Sequence, residues 1–299
     1  MTTTNKINKL VVIGVGLIGG SFALALKRAG LVNTVTGVGR SPANLDTARR
    51  LGVVEEICVD PASAVVDADM VLLAVPVGQM AGVMAAIAPA LPEYAVVSDA
   101  GSTKQDVVAL ARQFLPQHLP RFVPAHPIAG AEKSGAEAAL VDLYYNKNLV
   151  ITALSENTAD AIKRVRDLWL ACGARIREMT PAEHDGVFAA VSHLPHLLAF
   201  ALVDEIAAKP NAEQCFRFAA SGFRDSTRIA SSSPEMWRDI SLANRNALLE
   251  ELQQYQQQLT RLQMLLANAD GEGMLAMFTR ARDARNHWLT EILGSGKAE

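Results

Sequence analysis

Lys9-Leu10-Val11-Val12-Ile13-Gly14-Val15-Gly16-Leu17-Ile18-Gly19 decides the fold. The first five residues form an apolar, β-branched run that reads as a buried strand. Three glycines follow at the spacing G-x-G-x-x-G, and Ser21 to Ala29 then reads as a helix stopped by Gly30. Gly14 permits a tight turn, Gly16 lets the backbone approach a pyrophosphate, and Gly19 lets the helix pack close to the strand. The helix N-terminus adds partial positive charge where the phosphates would lie. A lone glycine triplet is weak evidence, but one that follows a strand and opens a helix has the context of a dinucleotide-binding loop. Gly14, Gly16, Leu17, Ile18 and Gly19 are therefore assigned to the cofactor.

The next strand indicates which dinucleotide. Thr34 to Val38 reads as strand two, and its end carries Gly39-Arg40-Ser41 where an NAD site would usually place Asp or Glu for the ribose hydroxyls. Arg40 offers a planar, permanently charged fork for a 2′-phosphate and Ser41 a hydroxyl, so NADP is favoured over NAD. The same arginine would also suit an ordinary solvated loop. Asp46 lies further on, inside the following helix, and is discounted.

Strands and helices alternate through the first half. Met70 to Val75 reads as a strand ending at Pro76, Ala95 to Ser98 leads into Asp99-Ala100-Gly101-Ser102-Thr103-Lys104, and Arg121 to Ala125 leads to His126. Leu149 to Ala153 and Ala174 to Arg177 complete the set. Such alternation predicts a parallel sheet with helices on both faces, and ligands of such sheets bind beyond the carboxyl ends of the strands. Pro76, Ser102 and His126 should thus converge on one crevice, with Pro76 against the cofactor. At Thr180-Pro181-Ala182-Glu183 a capping box with a first-turn proline opens a wholly helical stretch. The fold expected is a Rossmann-type, doubly wound α/β domain over 1–179 and an all-α domain over 180–299. In the second, Leu252, Tyr255, Leu259, Leu262 and Leu266 recur at helical spacing beside five glutamines. Such a stripe serves equally as an intramolecular core face or a subunit contact.

A chain of 299 residues with a net charge of −3 gives no reason to expect a nucleic-acid partner. Cys58, Cys172 and Cys215 are odd in number and widely spaced, without a metal motif or a disulfide framework, which suits a reducing cytoplasm. Two early lysines before an apolar run resemble a signal peptide superficially, but the run leads straight into the glycine loop. Val187 to Val203 is apolar yet holds His193, Pro195 and His196, so it reads as a buried helix rather than a membrane span. Residues 294–299 look frayed, and the chain stops too soon after its last helix for an appended regulatory domain.

The segments Gly14 to Gly20, Asp99 to Lys104, His126-Pro127-Ile128-Ala129-Gly130-Ala131-Glu132-Lys133-Ser134-Gly135, Ser192 to His196, and Gly222 to Trp237 resemble the prephenate and arogenate dehydrogenase family. The second and third are specific. The resemblance implies oxidative decarboxylation: hydride leaves the hydroxyl-bearing ring carbon for the nicotinamide, the ring carboxylate departs as carbon dioxide, and a tyrosine-pathway aromatic ring forms. It makes His126 the catalytic histidine, titrating near neutrality, and Ser102 its partner or that of the reacting hydroxyl. Without the family, His126 could be structural and Ser102 a turn residue. The substrate carries two carboxylates, so the family comparison assigns Arg228 to it, with His196 beside it, Arg224 as a further cation, and Glu132 and Asp225 shaping the entrance. Arg224 could equally pair with Asp225 on a helix surface, and Trp237 suits core better than pocket wall. The resemblance also implies a homodimer through the helical half. Two other readings compete: a different dehydrogenase of similar architecture, and a non-catalytic NADP sensor. The first usually needs a helical lysine in the second domain, where only Lys209, beside Pro210, precedes Lys297. The second leaves His126, Ser102 and Arg228 without a purpose.

Overall fold

The computed structural model describes residues 6–130 and 133–293. Glu132 and the tail beyond residue 293 lie outside the described residues. By contacts the chain divides into two compact units, Met1–Leu248 and Leu249–Glu299.

The first unit opens β1(Ile7–Ile13), α1(Leu17–Arg28), β2(Val32–Val38), α2(Pro42–Arg50), β3(Glu56–Cys58), α3(Pro61–Val65), β4(Met70–Leu73), α4(Met80–Ile87), β5(Val96–Asp99), α5(Gln105–Phe114) and β6(Phe122–Val123). The six strands are parallel in the order β3-β2-β1-β4-β5-β6, with the order reversing between β1 and β4. Period-two alternation makes the sheet double-sided. Leu10, Val12, Met70 and Leu72 face a core with Phe22 and Leu26 of α1, whereas Val11, Ile13, Val71 and Leu73 face Val65, Met84 and Val107 on the other side. The expected Rossmann-type sheet is therefore present. Helix α1 starts four residues earlier than the sequence suggested, because Gly16 is itself the N-cap and Leu17 and Ile18 form the first turn.

The run expected as one strand into His126 is two strands in two sheets. β7(Ala125–Pro127), β8(Asn148–Ile151) and β9(Arg175–Glu178), with α6(Ala159–Ala171) between the last two, form a separate three-stranded sheet. In it β7 runs antiparallel to β8. Pro124 is the break: it has no N–H to continue the ladder, its carbonyl accepts from Thr152 N at 3.0 Å, and the next amide, Ala125 N, turns to Asp99 Oδ1 at 3.2 Å. His126 consequently sits within an edge strand, paired with β8 on one side, rather than in the loop after one.

From Thr180 the chain is helical. α7(Pro181–Phe188) carries the complete capping box, and a π-helical turn over Ala189–His193 joins it to α8(Leu194–Ala207). α9(Ala212–Arg217), α10(Ser221–Thr227) and α11(Pro234–Ala243) follow. Pro181–Ala207 is long and apolar enough to cross a membrane by length and composition, yet it is not the buried helix expected. Only 28% of its most apolar window is buried, and Val187, Val191 and Leu202 are exposed. His184, Asp185, Phe188, Ala189, His193, Leu194 and Ala199 are buried, whereas the apolar side chains of Val187, Val191 and Leu202 are open in a single chain.

Helix α12(Arg245–Ala267) runs into the second unit, which continues with α13(Gly271–His287). Asp270 caps α13 by accepting from Gly273 N at 2.8 Å. In the α12 stripe Leu252 and Leu262 are half-buried while Tyr255, Leu259 and Leu266 are exposed, as are Leu275 and Phe278 on α13.

Candidate active site

The glycine loop fits a dinucleotide. Gly14 has φ +103°, a conformation that favours glycine, and a Cβ there would collide with the Ala74 carbonyl. A Cβ on Gly19 would strike the Gly14 carbonyl and Val12. Among the described residues nothing lies within 4 Å of the corresponding point on Gly16, and no side chain caps the N-terminus of α1. That helix end therefore presents uncapped amides beneath open space, which suits a pyrophosphate. Tyr144 Oη donates to the Ile18 carbonyl at 2.5 Å, and Asn44 ties the loop to Ala136, donating to Val15 O at 2.7 Å and accepting from Ala136 N at 2.8 Å. Arg40 is exposed just beyond β2. Ser41, assigned to the same phosphate, caps α2 by accepting from Asn44 N at 3.3 Å. Pro76 follows β4 and precedes a short helical turn, Val77–Gln79, that packs against α11.

A polar network fills the space past β5. His126, half-buried, places Nδ1 2.9 Å from Nε2 of His184, whose Nδ1 lies 2.8 Å from Asp185 Oδ1. Asp185 also accepts from Lys104 N and Gln105 N, both at 2.8 Å, so it caps α5 from across the site. Phe188 packs against both imidazoles, its ring centre 5.0 Å from His126 and 4.5 Å from His184. Beneath them Lys104 and Asp99 form a fully buried ion pair. Asp99 also receives Gly101 N at 2.8 Å, so one carboxylate ties the Ser102 loop to the strand of His126. Asn244 donates to the Asp185 carbonyl at 2.8 Å and to His193 Nδ1 at 3.0 Å, and the His193 ring reaches the Ser102 backbone.

These surroundings keep the imidazoles neutral. Burial, followed by the His184, Lys104 and His193 charges, lowers the His126 pKa well below the ordinary 6.5. Burial likewise brings His193 down to about 4 and lowers His184, the latter against the opposing pull of Asp185. Burial pushes Asp185 up, but hydrogen bonds from His184 and from the Gln105 and Lys104 amides outweigh it and leave it below the usual carboxylate range. Against the neutral-range titration expected for His126, burial and the neighbouring positive charges favour loss of its proton at lower pH.

His196 stacks on Trp237 with ring centres 3.6 Å apart, and its Nδ1 lies 2.9 Å from the Ser192 carbonyl. Burial, and then the Arg228 charge, lowers its pKa. Trp237 therefore serves the core and walls His196. Arg228 opens a short helical turn, Arg228–Ser231, after α10. Arg224 is brought into none of this: it is exposed and lies 3.4 Å from Asp225, the surface-pair alternative. Ser102 reaches the network through its backbone, and among the described residues no hydrogen bond joins its hydroxyl to His126. His184, Asp185 and Asn244 escaped the sequence reading. The one available signal was an adjacent His-Asp pair, polar residues directly behind the capping box of an apolar helix.

A dinucleotide cradle at the sheet's switch point, with a neutral histidine held at the carboxyl edge of the neighbouring strands, defines a dehydrogenase. Family models agree: "prephenate dehydrogenase, nucleotide-binding domain" matches residues 22–178, and "prephenate dehydrogenase, dimerization domain" matches 180–280. The chain is 37% identical over 278 residues to a cyclohexadienyl dehydrogenase of Zymomonas mobilis, covering 92% of this chain and 94% of that one. It is 37% identical over 279 residues to a prephenate dehydrogenase of Bacillus subtilis, covering 93% and 75%. The crystal structure of prephenate dehydrogenase from A. aeolicus, in complex with hydroxyphenyl propionate and NAD+, superposes with a TM-score of 0.89 at 33% identity, covering 95% of this chain and 99% of that one. The chain belongs to the prephenate dehydrogenase family.

Proposed function

We propose that the protein oxidatively decarboxylates prephenate, arogenate or both, with hydride passing to NADP in preference to NAD. The observation that carries this reading is His126, a half-buried neutral base whose Nδ1 is engaged by His184, in a chain whose N-terminal half is built to hold a dinucleotide. When bound, the dinucleotide supplies the hydride acceptor. Gly14, Gly16, Leu17, Ile18 and Gly19 would hold its pyrophosphate, Pro76 would flank it, and Arg40 and Ser41 would meet the 2′-phosphate.

His126 draws the proton from the ring hydroxyl as the carbon beneath it loses hydride. The bond to the ring carboxylate then breaks, its electron pair enters the ring, and carbon dioxide leaves. The oxygen, now phenolic, recovers its proton from His126. Ser102 assists at the hydroxyl. Arg228 and His196 orient the carboxylated side. Arginine gives a carboxylate direction as well as attraction. The exposed apolar stripe on α12 and the open face of α7 and α8 are the surfaces a second copy would cover, which supports a homodimer. We read the protein as a soluble cytoplasmic enzyme.

Steady-state kinetics on prephenate and arogenate, each with NADP and with NAD, tests this. Turnover of at least one substrate, with higher kcat/KM for NADP, is expected. Higher efficiency with NAD would refute the cofactor choice, and no turnover of either substrate would refute the reaction.

A further inference from the structure

We propose that His184 and Asp185 are positioning residues that hold His126 in the tautomer with its proton on Nδ1, so that Nε2 is the bare nitrogen offered to substrate. The Asp185 carboxylate can only accept, and it already accepts from two backbone amides of α5. The contact at 2.8 Å from His184 Nδ1 therefore requires a proton on that nitrogen. A neutral His184 then has a bare Nε2. The contact of 2.9 Å between that nitrogen and His126 Nδ1 needs one proton, which His126 must supply. The remaining nitrogen of a neutral His126 is consequently Nε2. Which nitrogen of a histidine is free follows from the bond the other makes.

The rest of the cluster favours this assignment. The alternative needs an imidazolium at His184, donating to His126 and reversing its tautomer. The charged and titratable groups around the pair are Asp185 on α7, His193 on the π-helical turn, Asp99 at the end of β5 and Lys104 at the N-cap of α5. Burial opposes a charge on His184, and the Lys104 cation opposes it further; Asp185 and Asp99 favour it but do not prevail. Phe188 restricts both ring planes. The capping box fixes the first turn of α7 immediately before His184, and Asn244 anchors the Asp185 carbonyl. The relay thus starts at a helix N-terminus and ends at the reacting base.

The consequence for catalysis rests on the function proposed above; the tautomer itself does not. Nitrogen-15 NMR of the full-length, histidine-labelled protein reads it directly, with His126 assigned through His126→Asn. The wild type should show a protonated Nδ1 and a bare Nε2 at neutral pH. His184→Leu removes the acceptor while keeping an apolar filling. It should lose that signature and lower kcat roughly 10- to 100-fold, the scale of a misoriented or wrongly tautomerised base, with KM within about twofold. His184→Gln, whose amide oxygen can accept from Nδ1, should restore the tautomer and most of kcat. Retained dinucleotide binding by tryptophan fluorescence shows that the variants are folded; should His184→Leu not fold, the wild type and His184→Gln still decide. A wild-type His126 protonated on Nε2, or a folded His184→Leu with unchanged tautomer and kcat, overturns the relay. An Nδ1-protonated His126 in a protein that turns over neither substrate overturns the function and supports the relay.

Discussion

His126 should act as a base over an unusually wide pH range. Its pKa is lowered first by burial and then by neighbouring positive charge, so it stays neutral well below 6.5. A base is active when unprotonated, so kcat/KM should stay level through neutrality and fall only as pH drops through that lowered value. In a pH–rate profile, His126→Asn should lose the limb, and a wild-type limb at or above 6.5 would contradict the burial argument. Arg40 acts more weakly because it is exposed. Arg40→Ala should raise the KM for NADP roughly tenfold, the worth of one charge-assisted contact in water, and leave that for NAD nearly unchanged. Equal effects on both cofactors would remove Arg40 from the 2′-phosphate. Arg40 stood out in the sequence because it follows a strand that announces itself locally, and His126 because it opens a specific motif, although it lies within β7 rather than after a strand. His184 and Asp185 did not, since their meaning lies in a contact 58 residues away and in the amides of another helix.

The strand–loop–helix that opens the fold separates packing from binding. The Gly16 side-chain direction is open, so Gly16→Ala should fold with an unchanged unfolding midpoint yet bind dinucleotide at least tenfold more weakly, the added methyl occupying the phosphate's place. Gly19→Ala meets the Gly14 carbonyl and Val12, and should lose about 1–3 kcal/mol of stability as the helix is pushed from its strand. Thermal unfolding and dinucleotide titration of the two variants check this; a Gly16→Ala protein that binds normally would move the pyrophosphate elsewhere. The glycine loop was legible because its logic is local, although α1 starts four residues earlier than expected. The second sheet was not. Pro124 was visible in sequence, but a proline permits either a pause or a departure from a sheet, and only the Asp99 carboxylate, waiting for Ala125 N, decides for departure.

At the scale of the molecule, the helical half was legible as helices but not in its exposure. Periodicity marks an apolar stripe without saying what covers it, and among the described residues Tyr255, Leu259 and Leu266 remain open. A second copy is the expected cover. Sedimentation of the wild type should give a dimer, and Leu259→Glu with Leu266→Glu should shift it towards monomer; a monomeric wild type would contradict the assignment. The central role proposed for His126 is that of the base in an oxidative decarboxylation. Its most direct test follows absorbance at 340 nm and carbon dioxide release together, with prephenate and NADP, for wild type and His126→Asn. Equal amounts of reduced dinucleotide and carbon dioxide should form with the wild type, and kcat should fall roughly 10²- to 10⁴-fold in the variant while KM moves little. A wild type that reduces no dinucleotide on prephenate or arogenate, or a variant with near-normal kcat, would contradict it.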